Sequence, residues 1–276
     1  MKRSFYGART VRVLASILAI GLLTAGVGFA MTGFELGKLS EADPYTIREY
    51  EAAPETIRSI TIVDANRAIR VRPAEDGVVR ALCPEREREG YRIDLSPEGA
   101  LSIRYESTRK WYENLQVNWS MWDAELVLYL PDGFAPDLDA QTTNGSIRAE
   151  GVCLGEVSAR SVNGAVAFED VDILGSARLS ATNGSLRLDG CSIGEEIDAR
   201  TTNGSISLSR MAADRAFART TNGRVSVELI GDADDYAIRA RTVNGRVSAP
   251  EGNPASGRIV EVNSVNGSVT VGFAKE

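Results

Sequence analysis

The chain has 276 residues, of which 43% are hydrophobic and 25% are charged, a composition typical of a globular protein with one or two domains. It contains no histidine, so the commonest general base and the commonest metal ligand are missing. Its three cysteines, Cys83, Cys153 and Cys191, form neither a disulfide framework nor a zinc-ligand spacing. We therefore expect free thiols, no cofactor and no metal.

The first element in the chain is an apolar segment. Residues 13–34 contain no charged side chain, and four basic residues precede them. As an α-helix with a rise of about 1.5 Å per residue, this segment would reach about 33 Å, enough to cross a hydrocarbon core. We predict a cytoplasmic N-terminus over 1–12, a single transmembrane helix over 13–34, and a chain that is extracellular from a linker over 35–55 onwards. The alternative is a signal peptide cleaved near Ala30.

Charge separates the same two regions. The whole chain has a net charge of −7 and its first 37 residues contribute +3, which leaves −10 on residues 38–276. A nucleic-acid partner would require a basic surface, so this acidic balance predicts that the exported part does not bind nucleic acid.

Residues 56–135 are predicted to form a β-rich N-terminal cap. The stretch "SITIVDANRAIRVRP" alternates apolar and polar residues around Asn66, with Arg67 in the place of a turn glycine. All three tryptophans, Trp111, Trp119 and Trp122, fall in this region, and we expect them to close the open end of the domain that follows.

Residues 136–276 contain an Asn-Gly pair that recurs every 19 to 22 residues. A fixed period of this kind is the signature of a repeat architecture. The repeated asparagines are Asn144, Asn163, Asn183, Asn203, Asn222, Asn244 and Asn266.

Apolar residues alternate with polar ones on both sides of each Asn-Gly pair, which predicts a strand, a turn and a second strand with one buried face. The position three residues after Asn is aliphatic in every copy, namely Ile147, Val166, Leu186, Ile206, Val225, Val247 and Val269. We expect the glycine to supply a positive φ at the turn and the asparagines to form a side-chain ladder.

Two architectures fit these units. The favoured one is an all-β fold, a parallel β-solenoid with repeats of about 20 residues, because stacked coils bury their own apolar face. The alternative is an array of antiparallel β-hairpins, for which Asn-Gly is also a strong signal. The array would leave one wide apolar face that the remaining residues barely suffice to cover.

Five arginines form a candidate ligand-binding strip. Arg200, Arg219 and Arg241 stand three residues before Asn in consecutive repeats, and Arg224 and Arg246 stand two residues after it. Stacked coils would place the first three about 5 Å apart in a row. Such a row could bind an anionic envelope polymer, because guanidinium groups bind phosphate and carboxylate in a bidentate manner. The alternatives are a solvated face with local ion pairs, and an acidic surface that recruits cationic peptides.

The seven Asn-Gly repeats behind an apolar segment, with "GFELGKLS" at the exit of that segment, resemble the bacterial envelope proteins grouped as candidate adhesins, the domain-of-unknown-function family 4097. The resemblance covers roughly residues 13–276. It implies a cell-surface β protein, which in some relatives is tied to envelope-stress responses, and it transfers no catalytic residue.

The sequence thus favours a membrane-anchored, extracellular binding protein without enzymatic activity. The alternative function is an enzyme that acts on polysaccharides through carboxylates held on a solenoid. That reading requires acidic residues that converge on one face, and the outward positions of the repeats show no persistent acidic pair.

Overall fold

The computed structural model describes residues 45–108 and 124–275. These residues form strands, turns and two short 3₁₀ segments, Pro54–Thr56 and Ala233–Asp235. Among the described residues no helix is long and apolar enough to cross a membrane. The predicted transmembrane helix over 13–34 and the three tryptophans lie outside the described residues.

The strands follow the alternation seen in the sequence. In chain order they are β1 (Thr46–Ala52), β2 (Ser59–Val63), β3 (Ile69–Pro73), β4 (Val79–Glu85), β5 (Glu89–Leu95), β6 (Ala100–Ser107), β7 (Leu126–Leu130), β8 (Asp137–Thr142), β9 (Ile147–Glu150), β10 (Cys153–Leu154), β11 (Val157–Ser161), β12 (Val166–Glu169), β13 (Asp172–Ile173), β14 (Ala177–Ala181), β15 (Leu186–Asp189), β16 (Ser192–Asn203), β17 (Ile206–Asn222), β18 (Val225–Ile230), β19 (Tyr236–Asn244), β20 (Val247–Ser248), β21 (Arg258–Asn266) and β22 (Val269–Ala274).

The repeat strands pair in parallel, as the solenoid prediction requires, and the antiparallel hairpin array is wrong. The strands that precede the turns form one sheet, here sheet B, in the order β5-β6-β2-β8-β11-β14-β16-β17-β21-β19. The strands that follow the turns form sheet A, in the order β1-β4-β7-β3-β9-β12-β15-β17-β18-β22-β20. Among the strands of the described residues, only the pairs β1–β4, β4–β7 and β5–β6, at the N-terminal end, are antiparallel.

The apolar columns form the core between the sheets. The position three residues after Asn makes one column, and its members are buried up to the last coil, where Val247 is 43% exposed. Stacking therefore buries the apolar face of each strand-turn-strand unit, because each coil covers the apolar edge of its neighbour.

The asparagines form the ladder expected from the repeat. Each Nδ2 donates to Oδ1 of the asparagine in the adjacent coil at 2.7 to 2.9 Å. Within the described residues the ladder has eight members, because Asn66 accepts the bond from Asn144. The coil around Asn66, predicted to belong to a separate cap, is thus one more coil of the same stack.

The glycines that follow these asparagines are required for a different reason from the one predicted. None of them has a positive φ. Instead, a Cβ at any of them would lie 1.8 to 2.1 Å from a backbone carbonyl oxygen of the adjacent coil, as between Gly204 and Gly184. Close stacking at the turn therefore excludes every side chain, which is a steric requirement and not a conformational one.

Hydroxyl groups two residues before Asn complete the turn in every Asn-Gly repeat except that of Asn183, where this residue is Ala181. Thr220 donates to the carbonyl of Gly204 at 2.9 Å, and Ser161 donates to that of Gly145 at 3.0 Å. The Ser161 hydroxyl also accepts the N–H of Gly164 at 2.8 Å. The small polar residue in the motif thus links adjacent coils through groups that would otherwise be buried without partners.

The order of the coils differs from the order of the chain at both ends. The Asn266 coil (β21 and β22) lies between the Asn222 coil and the Asn244 coil (β19 and β20), which is outermost. At the other end, β2 and β3 lie between the β6–β7 level and the β8–β9 level. The prediction that the Asn-Gly coils stack in sequence order is therefore wrong for the Asn244 and Asn266 coils.

Candidate functional site

The outward face of sheet B carries the first three arginines of the predicted strip. The parallel register places the residue three before each Asn in one column, in the order Gln141, Arg160, Ser180, Arg200, Arg219, Asn263 and Arg241. Arg200 and Arg219 are direct neighbours. Arg241 is not next to Arg219, because the Asn266 coil inserts Asn263 between them. The predicted continuous row of three is therefore wrong for Arg241, which lies two rungs from Arg219, about 10 Å.

Arg200 and Arg219 already have carboxylate partners. Arg200 contacts Asp198 through two atom pairs, Nε–Oδ1 at 2.7 Å and Nη2–Oδ2 at 2.6 Å. Arg219 Nη2 lies 3.5 Å from Glu261 Oε1 in the adjacent coil. Both arginines are about three-fifths exposed, so these pairs contribute little to stability, yet they reduce the positive charge offered to a ligand.

The other three arginines of the strip form no ion pair within the described part of the chain. Arg224 donates from Nε to the Ser268 hydroxyl at 3.1 Å. The register of the adjacent strands places Ser268 between Arg224 and Arg246, as Asn263 lies between Arg219 and Arg241. The side chains of Arg224, Arg241 and Arg246 are exposed. The positive charge of the strip is therefore concentrated at the turn edge of the last coils.

The outermost coil is locally basic. Residues 236–249 contain three arginines, Arg239, Arg241 and Arg246, and no acidic residue. Arg239 lies beside Glu261 of the adjacent strand. These arginines offer positive side chains to an anion on a chain with a net charge of −7, and the turn before β19 carries Asp232, Asp234 and Asp235.

An acidic face lies elsewhere on sheet B. A shallow cavity of about 430 Å³ is lined by six carboxylates and two arginines, namely Asp137, Asp139, Glu156, Glu195, Glu196, Asp198, Arg178 and Arg215. No group of three or more potential ligands among the described residues is arranged to hold a metal ion. This face carries the acidic charge that the alternative ligand predicted from the sequence, a cationic peptide, would require.

A buried polar cluster near the N-terminal end was not predicted. Arg67 Nη2 lies 3.2 Å from Glu89 Oε2, and both side chains are less than a tenth exposed. The Tyr91 hydroxyl donates to Asp64 Oδ2 and accepts a bond from Arg67 Nη1 at 3.3 Å. Burial and the neighbouring Asp64 raise the pKa of Tyr91. The sequence signal was Arg67 itself, which stands where the other repeats have glycine.

The cysteines are free, as expected from their number. Burial raises the pKa of the Cys83 thiol to about 12 and also raises the pKa values of Cys153 and Cys191. Cys83 and Cys191 are buried, whereas Cys153 is half-buried. None of the three is therefore an activated nucleophile.

Comparison with known proteins finds a family match and solved structures of similar fold. The model of the Toastrack DUF4097 family matches residues 57–276. A crystal structure of a candidate adhesin from Bacteroides fragilis is similar over 85% of this chain and 99% of that one, with 12% identity and a TM-score of 0.53. A candidate adhesin from Parabacteroides merdae is similar over 85% of this chain and 98% of that one, with 12% identity and a TM-score of 0.45. The search of curated proteins found no match.

Proposed function

The chain belongs to the Toastrack DUF4097 family, and on that premise we propose that it is a membrane-anchored, extracellular binding protein of the bacterial cell envelope, adhesin-like and without enzymatic activity. The fold that it shares with the Bacteroides candidate adhesin is consistent with this role. In this proposal the stack is a rigid scaffold that displays side chains in regular columns to a ligand.

The anchor is the part of the proposal that rests on sequence. Residues 13–34 are uncharged and follow four basic residues, which favours a single span with the stack outside. Protease treatment of intact cells should then remove the stack and leave a small membrane-bound fragment. A secreted form that begins near Met31 would show that the segment is a cleaved signal peptide.

The ligand that we propose is an anionic envelope polymer, bound through the strip of Arg200, Arg219, Arg224, Arg241 and Arg246. The observation that carries this choice is the absence of carboxylate partners, within the described residues, for Arg224, Arg241 and Arg246. Like charges held at the turn edge repel one another, and phosphate or carboxylate groups of a polymer would relieve that repulsion. A role in envelope-stress responses would follow if polymer binding reports on the state of the wall.

Salt-dependent binding tests this assignment. The full chain should bind lipoteichoic acid at low salt and release it at high salt, because the contacts are solvent-exposed. Replacing Arg224, Arg241 and Arg246 together by Ser should abolish binding, whereas replacing Arg200 and Arg219 should weaken it only in part. The matched control replaces Arg160, Arg178 and Arg187, which changes the net charge equally at exposed positions in the middle of the stack.

Three outcomes would contradict the proposal. Equal losses in the control and in the Arg224, Arg241 and Arg246 variant would reduce the effect to net charge. Preferential binding of a cationic peptide, lost when carboxylates of the acidic cavity are neutralised, would favour the alternative ligand. Turnover of an envelope polysaccharide that disappears with a single Asp or Glu substitution would establish an enzyme.

A further inference from the structure

The outermost coil at the C-terminal end has an open strand edge. β19 pairs on one side with β21, and no other strand of the described chain lies on its second side. The segment 250–257 reaches only the start of this edge, where the N–H of Asn253 donates to the carbonyl of Tyr236 at 2.9 Å. Because that carbonyl faces the open side, strand alternation directs the N–H and C=O groups of Ile238, Ala240 and Thr242 to the same side.

The two ends of the stack are therefore built differently. At the N-terminal end the antiparallel strands β1, β4 and β5 close the parallel sheets. At the C-terminal end the outer edge is β19, a strand of nine residues. A long strand edge with unpaired main-chain groups is a template on which a further strand can add.

Apolar side chains accompany this edge. Ile238 and Ala240 continue the core columns but are only partly buried. Gly252 of the 250–257 segment packs against part of the Ile238 side chain, and no strand of the described chain covers the rest of the edge. Val247 is 43% exposed and Val243 is 73% exposed. An added strand would thus gain apolar contact with the end of the core as well as main-chain hydrogen bonds.

The positive charge of β19 determines which kind of strand could pair with its open edge. The side chains of Arg239 and Arg241 lie on the outward face of β19, and no acidic residue occurs in 236–249. A second copy of this coil would bring arginines against arginines, and like charges on neighbouring strands destabilise pairing. A strand with acidic outward residues would be attracted instead.

The adjacent coil shows what β19 accepts. On its paired side, β21 places Glu261 beside Arg239 and Asn263 beside Arg241. The alternate residues Val260 and Val262 face inward and are fully buried. β19 thus already pairs with one strand whose inner face is apolar and whose outer face is acidic and polar. The side chains of β19 that contact this strand also flank its open edge.

We propose that β19 binds, by strand addition, an extended segment of a partner protein whose alternate residues are apolar and acidic. The apolar residues would cover Ile238 and Ala240, and the acidic residues would lie beside Arg239 and Arg241. This inference deepens the proposed binding function and rests on it, since it assigns a protein partner to an adhesin-like domain.

A peptide copy of residues 259–266, "IVEVNSVN", labelled at one end, is the probe. The full chain should bind it, and the same peptide with Glu261→Arg should bind roughly tenfold more weakly or worse. The charge-reversed chain with Arg239→Glu and Arg241→Glu should show the opposite preference. Charge reversal on both sides that fails to restore binding would overturn the proposed register.

A main-chain variant separates strand addition from simple charge attraction. Ala240→Pro removes an N–H that faces the open edge and should abolish peptide binding, whereas the matched control Ala240→Val, which copies Val262 of the adjacent coil, should retain it. Ala240→Pro should leave polymer binding unchanged, so failure of this inference is distinguishable from failure of the polymer assignment. Undiminished peptide binding by Ala240→Pro would overturn strand addition. Self-association that Ala240→Pro abolishes, without peptide binding, would show that a second copy occupies the edge.

Discussion

Asn266 donates from Nδ2 to Oδ1 of Asn222 at 2.8 Å, although 44 residues separate them in the chain. Asn244, which lies between them in sequence, donates to Asn266 from the other side. The chain thus passes over one level of the stack, forms the outermost coil and returns to fill the gap. This crossing places Arg239, Arg241 and Arg246 in the outermost coil of the described stack.

Each asparagine of the ladder should contribute to the free energy of unfolding in proportion to the number of ladder hydrogen bonds that it makes. Asn183 donates to Asn163 at 2.9 Å and accepts from Asn203 at 2.8 Å, whereas Asn244 makes one bond. Asn183→Ala should lower the free energy of unfolding by about 1 to 2 kcal/mol, and Asn244→Ala by roughly half as much. Urea unfolding of both variants measures this, and equal losses would mean that the ladder bonds are not the cause.

The turn glycines should tolerate no side chain. A Cβ on Gly204 would lie 2.1 Å from the Gly184 carbonyl oxygen, so Gly204→Ala should cost at least ~2 kcal/mol or disrupt the stack locally. Gly272 in β22 is the control, because a Cβ there has nothing within 4 Å. Gly272→Ala should be neutral or slightly stabilising. Thermal unfolding that ranks the two variants in the reverse order would contradict the steric explanation.

The buried ion pair at the N-terminal end should be sensitive to loss of one partner. Arg67→Ala leaves the Glu89 carboxylate buried without this arginine, and we expect a loss of about 3 to 5 kcal/mol in the free energy of unfolding. Arg92→Ala is the control, because its pair with Asp94 is 65% and 60% exposed and should contribute less than about 1 kcal/mol. Denaturant titrations of both variants give the comparison. Similar small losses would show that Arg67 is not buried as the structure has it.

Thiol reactivity should follow burial. Because burial raises the pKa of Cys83 to about 12, this thiol stays protonated at pH 8 and should resist alkylation in the native chain. The pKa of the half-buried Cys153 is also raised, but its exposure should make it the first to react. Mass mapping after brief treatment with iodoacetamide checks this order. Early labelling of Cys83 would contradict the position of β4 in sheet A.

Much of the fold follows from local pattern. Period-two alternation around each Asn-Gly pair is sufficient to predict the strands, and the need to bury one face of every unit is sufficient to predict parallel stacking. The sequence predicts that the coil at Asn66 belongs to the end cap that a solenoid needs, with Arg67 in the place of the turn glycine. That replacement is tolerated because the polar cluster of Asp64, Glu89 and Tyr91 receives its side chain.

The order of the terminal coils could not be read from the columns, since each coil carries the same pattern and fits beside any other. The one indication of this order in the sequence is the spacing between the Asn-Gly pairs. The last two Asn-Gly intervals are 22 residues, against 19 or 20 earlier. Between Asn222 and Asn244 the chain passes over a level and must climb about 10 Å instead of about 5 Å, which takes additional residues. Between Asn244 and Asn266 it returns by one level, and the climb does not explain the length of that interval. Because the sequence does not reveal the order of the coils, it predicts Arg200, Arg219 and Arg241 in one row. In the structure Arg241 is separated from Arg219.

The order of the last three coils is the claim on which the basic end and the open edge both depend, and disulfide trapping tests it directly. Ser226 pairs with Thr270, and Thr270 pairs with Ser248 on its other side. Adjacent parallel strands bring Cα atoms about 4.8 Å apart, within disulfide reach, whereas a separation of two strands does not. In a chain without its native cysteines, the double variants Ser226→Cys/Thr270→Cys and Ser248→Cys/Thr270→Cys should crosslink rapidly, and Ser226→Cys/Ser248→Cys should not. Rapid crosslinking of the 226–248 pair without crosslinking of the 226–270 pair would show that the coils stack in chain order, and would contradict the account.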